Sequence, residues 1–103
     1  MVQEFIAVVV DDAFFTLDAL TISCAVSGAW VVEHVQAGVL LEEPGPDASA
    51  WKFSGQDLRR VRRIRDVECT FDAAPELAGL VVDLLEETER LRARMRRAGL
   101  SVD

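Results

Sequence analysis

The chain has 103 residues, 18 Asp and Glu against 11 Lys and Arg, and a formal net charge of −7, which suggests one small acidic domain and disfavours a general nucleic-acid binder. Hydrophobic residues make up 50% of the chain and charged residues 28%, enough apolar surface for a folded core rather than a disordered acidic tail. The longest charge-free run before Glu33, residues 19–32, is shorter than the roughly 20 apolar residues a bilayer requires, so a membrane span is excluded.

Residues 4–10, E-F-I-A-V-V-V, read as a covered β-strand. No basic segment precedes an apolar run at the start, so a secretory signal is not expected and the cytoplasm is the expected compartment. Thr16 can cap a helix over Leu17–Cys24, with Leu17, Leu20 and Cys24 at helical spacing, and Ser27 can cap a second over Gly28–Gln36, with Val31 and Val35 on one stripe. Gly38 stands where a left-handed C-terminal cap is wanted. Val39-Leu40-Leu41 then reads as a short strand, E-E-P-G-P as a turn, and residues 50–53 as another strand. Helix, tight turn, helix, strand, loop, strand is the outline of a winged helix-turn-helix with residues 42–49 as the wing.

Ser54 opens a third helix, with Asp57 completing a capping box and Leu58, Val61, Ile64, Arg65 and Cys69 close to one side. Arginines 59, 60, 62, 63 and 65 cover most of the rest, and a charged outer face is the commoner reading of such a group than a phosphate site. Asp72-Ala73-Ala74 breaks the periodicity, and Pro75 followed by Glu76 starts a fourth helix. Along it Leu77, Leu80, Val81, Leu84, Leu85, Thr88, Leu91 and Met95 recur at steps of three and four, with acids early and arginines late. So long a stripe exceeds what the short N-terminal helices could cover. It predicts self-association through an antiparallel or parallel coiled coil, with Leu77, Leu80, Val81, Leu84, Thr88, Leu91 and Met95 as the seam. The alternative is that the helix folds back on its own core.

Charge is unevenly placed. Residues 1–50 hold eight acids and no Lys or Arg, a charge of −8, whereas residues 51–103 sum to +1. A half without any base suggests a surface that receives a basic partner.

Catalysis has little to work with. There is no phosphate loop, no nucleophile elbow and no metal-ligand spacing, and the lone His34 reads as a solvated helix-surface residue. The paired acids are adjacent in sequence and diverge in direction, which argues against a carboxylate dyad. Cys24 and Cys69 read as small buried hydrophobes, with a reactive thiol or a single disulfide as the alternatives. No catalytic residue, metal or cofactor is expected.

The stretch Ser27-x-x-Trp30-Val31-Val32-x-x-x-Gln36-x-Gly38-Val39-Leu40, then Pro44, then Trp51-Lys52-Phe53-Ser54-x-x-Asp57-Leu58, resembles the DNA-binding head of MerR-type regulators. In that family's pattern two DNA-facing arginines fall here on Val32 and Gln36, and the wing carries no cation. Those losses remove the phosphate contacts that supply most non-specific DNA affinity.

A closer resemblance is to the CbpM family of chaperone modulators. It rests on the short N-terminal strand, the Val39-to-Pro44 wing entry, Trp51-Lys52-Phe53, the step Arg63-Ile64-Arg65, and Asp72 and Pro75 leading into a Leu-rich helix with Asp83, Glu86 and Glu87. The resemblance covers nearly the whole chain. It implies a mainly α protein, with a MerR-like winged head and small β-sheet over residues 1–72 and a long dimerisation helix over residues 73–103. It further implies a homodimer that binds the J-domain of a CbpA-type, DnaJ-like co-chaperone and inhibits its co-chaperone and DNA-binding activity. J-domains present a basic helix, and an acidic head suits that surface. Asp18, Glu33, Glu42 and Glu43 are the candidate contacts around Trp30, a candidate aromatic anchor whose other reading is core packing. The alternative function is a MerR-like transcription regulator.

Overall fold

The computed structural model describes residues 14–100, so the strand expected at residues 4–10 lies outside the described residues. The described chain is mainly helical: α1 (Leu17–Cys24), α2 (Gly28–Gln36), a 3-10 turn (Ala48–Ala50), α3 (Gly55–Phe71) and α4 (Pro75–Arg97). The helices start where the capping residues place them. Thr16 Oγ1 accepts from Ala19 N–H and Ser27 Oγ accepts from Trp30 N–H. At α3 the Ser54 hydroxyl accepts from Asp57 N–H while the Asp57 carboxylate accepts from Ser54 N–H at 2.8 Å, a reciprocal box.

The ends have equally local causes. Gly38 adopts φ +81°, and its N–H bonds to Val35 O while Val39 N–H reaches back to His34 O. This pair of bonds closes α2 and turns the chain outward. Asp72, at φ 52°, ends α3, and Pro75 at the first position of α4 needs no N–H partner there.

One core holds the helices together. α3 packs against both α1 and α4. Leu20, Val31, Leu40, Phe53, Val61 and Ile64 are fully or almost fully buried, and Ala78 and Val82 extend this core into the first two turns of α4. No helix among the described residues is long and apolar enough to cross a membrane.

Three expectations are corrected. Among the described residues there is no sheet, only an isolated antiparallel bridge in which Phe15 and Phe53 exchange both backbone hydrogen bonds, at 2.7 and 2.9 Å. Leu41 at φ 56° turns the chain before Val39-Leu40-Leu41 can extend as a strand. The Asp47 side chain closes the 3-10 turn through Ser49 and the cap at Ser54 starts α3, so three residues lie between them, of which Phe53 pairs. His34 is not solvated but 1% exposed. Cys24 is buried as expected, whereas Cys69, with Arg65, stands outside the buried stripe of Leu58, Val61 and Ile64 and is exposed.

Candidate functional site

The four carboxylates predicted as partner contacts lie on three elements and all face solvent. Asp18 stands in the first turn of α1, Glu33 in α2, and Glu42 and Glu43 in the loop that follows α2. Among the described residues none of the four joins an ion pair. Their shared features are exposure and the absence of a bonded cluster among the described residues.

The second half of the chain is organised differently. Arg60 donates through Nε to Val39 O at 2.8 Å, pairs with Glu86 Oε1 at 2.9 Å and with Asp83 Oδ1 at 2.8 Å. It thus joins α3, the chain after α2, and α4. Arg63 grips Glu89 with two parallel hydrogen bonds, at 3.1 and 2.6 Å, and these hold the Glu89 carboxyl below the usual carboxylate range. Arg62 reaches the Ser23 carbonyl near the C-terminus of α1, and Arg90 pairs with Glu87 along α4. Residues beyond the reach of sequence reasoning therefore shape the charge surface: Arg60 lies 26 positions from Glu86, and no local spacing reveals such a pair.

No family model, curated protein or solved structure matches this chain.

Trp30 is half-buried and is not a free anchor. Its indole Nε1–H donates to Glu68 Oε1 at 3.2 Å, and its ring stacks on His34 with centroids 3.6 Å apart. His34 in turn places Nε2 2.5 Å from Glu68 Oε2 and Nδ1 2.7 Å from the Trp30 carbonyl. Helical spacing held a signal for this burial, because His34 falls three positions after Val31 and one before Val35, beside the buried stripe. Glu68 had no such signal.

Glu42 also lines a cleft of about 460 Å³ between the loop and α4, with Leu41 and Pro44 on one side and Asp83 and Glu86 on the other. Arg60 lies at this cleft as well. Among the described residues no group of three or more His, Cys, Asp and Glu is placed to hold a metal ion.

On α4 the predicted seam points away from the head. Leu77, Leu80, Leu84, Leu91 and Met95 are 53, 54, 60, 47 and 38% exposed, Thr88 is exposed and Val81 is half-buried. The helix folds back on the core through a different face, the small residues Ala78, Gly79 and Val82. At 3.6 residues per turn the two faces are about 150° apart. The apolar stripe is thus left uncovered by the described residues.

Proposed function

We propose that this protein is a non-catalytic, cytoplasmic modulator that uses its acidic, MerR-like head to bind the basic surface of a J-domain in a CbpA-type, DnaJ-like co-chaperone. Binding there inhibits the partner's co-chaperone and DNA-binding activity. The observation that carries the reading is the segregation of charge. The arginines that α3 turns toward α4 are met by Asp83, Glu86 and Glu89, while Asp18, Glu33, Glu42 and Glu43 pair with no cation among the described residues. An acidic surface left unneutralised attracts a basic protein surface and repels a phosphate backbone. The bare leucine stripe of α4 supports a homodimer, in which each copy covers the other.

The deciding experiment measures affinity for a CbpA-type J-domain by calorimetry, with the wild type and with Glu33→Lys combined with Glu42→Lys. The double reversal is expected to weaken binding by about tenfold or more, and the wild-type affinity should fall as salt rises. Unchanged affinity on reversal sinks the acidic-face reading. Salt-dependent binding of duplex DNA by the wild type favours a transcription regulator instead.

A further inference from the structure

The cleft between the loop after α2 and α4 combines an apolar wall with acceptors that its own chain leaves unused. Leu41 and Pro44 form the loop side, and Leu41, at φ 56°, turns the chain so that exposed Glu42 joins the lining. Asp83 and Glu86 line the opposite side from α4. With Asp57 included, four carboxylates line the cleft against one cation, Arg60. Asp57 is engaged by the Ser54 N–H. Arg60 takes one oxygen of Asp83 at 2.8 Å, one of Glu86 at 2.9 Å and the Val39 carbonyl at 2.8 Å. Among the described residues the second oxygens of Asp83 and Glu86 and both oxygens of Glu42 accept no hydrogen bond.

Those acceptors stand on two walls beside apolar surface, and this selects the chemistry of the occupant. An anion meets carboxylates in excess and is repelled. A wholly apolar group would strip water from the free oxygens and give nothing back. A side chain with an aliphatic stem and a terminal cation satisfies both parts, the stem lying along Leu41 and Pro44 and the charge reaching the oxygens. Between the two such side chains, arginine carries five N–H donors in a planar fork that can bond to both walls at once, whereas lysine concentrates its charge at one point. Arg60 already shows how a guanidinium is held here, by a carbonyl and two carboxylates. At about 460 Å³ the cleft falls within the roughly 300–1,000 Å³ of ligand sites, so it admits one such side chain with its water.

We propose that this cleft is a socket for one arginine side chain of the basic protein partner, held by Glu42 from the loop and by Asp83 and Glu86 from α4. The identity of the partner rests on the function proposed above; the preference of the cleft for a guanidinium does not. The socket adds Asp83 and Glu86, which belong to the near-neutral half of the chain, to the acids that meet the partner, and it gives Glu42 a role that Asp18 and Glu33 lack.

The test titrates the full chain, labelled with nitrogen-15, with N-acetyl-arginine amide and separately with N-acetyl-lysine amide at one fixed ionic strength of about 0.1 M. Saturable shifts confined to the backbone amides of the cleft, Gly38, Leu41 and Glu42 among them, are expected for arginine with a Kd on the order of 1 mM, and several-fold weaker binding for lysine. Glu42→Gln leaves both pairs of Arg60 intact and should weaken arginine binding about tenfold, whereas Asp66→Asn, an exposed acid of α3 outside the cleft, removes the same charge and should leave it unchanged. Glu42→Gln should also lower J-domain affinity about tenfold. When the arginines of the J-domain are changed to glutamine one at a time, one change should weaken binding to the wild type about tenfold and binding to Glu42→Gln hardly at all. Shifts spread over all acidic surfaces, equal binding of lysine, or equal effects of Glu42→Gln and Asp66→Asn overturn the socket. Saturable arginine binding with J-domain affinity unchanged in Glu42→Gln overturns its use in capture. Absence of J-domain binding by the wild type refutes the function proposed above, while the small-probe titration still decides whether the cleft holds a guanidinium.

Discussion

Gly79 stands inside α4, where glycine is about 1 kcal/mol worse than alanine for an exposed helix. Its position explains the choice. A Cβ there would sit 2.8 Å from Val39 Cβ and closer still to Val39 Cγ1, so the helix approaches the chain after α2 over a bare backbone. Val39 cannot retreat, because its N–H is bonded to His34 O and its carbonyl to Arg60. Gly79→Ala is therefore expected to destabilise the protein by about 1–3 kcal/mol, overpacking outweighing the gain in propensity, as read by urea unfolding. Equal or greater stability would show that α4 can shift at this contact. No local pattern in the sequence reveals this role, since it depends on a neighbour 40 positions away. Trp30, by contrast, was legible as a residue with two possible roles, and the fold makes it half-buried and bonded.

At the scale of elements, local chemistry was readable and non-local pairing was not. Thr16, Ser27 and Ser54 each mark a helix start through a side-chain bond made within one turn, Pro75 marks one through its fixed backbone and missing N–H, and all four helices begin there. The wing failed as a sheet because strand content depends on partners, and among the described residues the pairing is an isolated bridge between Phe15 and Phe53. How α4 docks on α3 was equally invisible. Here magnitudes separate two similar pairs. The Arg60 side chain is 14% exposed and its partner Glu86 21%, whereas Arg63 and Glu89 are 37% and 57% exposed. A largely buried charge that also satisfies the Val39 carbonyl costs about 2 kcal/mol to remove, while a solvated pair is worth under about 1 kcal/mol. Arg60→Gln should therefore lower unfolding stability by about 2 kcal/mol, and Arg63→Gln by less than half of that. The reverse order would mean that α4 is held chiefly at its outer turns.

For the whole molecule, composition revealed an acidic half, and the fold shows which cations are already taken. The same folding uses the small face of α4 and leaves its leucines exposed, and the dimer proposed above would cover them with a second copy. Fully burying a leucine is worth about 1.5–3 kcal/mol. Leu84, 60% exposed and midway along the stripe, enters such an interface twice by symmetry. Leu84→Asp removes both contributions and adds two carboxylates that must lose water, which together offset much of the roughly 8 kcal/mol that holds a micromolar dimer. Sedimentation should find the wild type as a dimer and Leu84→Asp as a monomer. The helical content of the variant should stay unchanged, because Leu84 lies on the face turned away from α3. A dimer that persists in the variant would place the seam on another face, and loss of helix would mean that the leucine stripe supports the fold of a single chain.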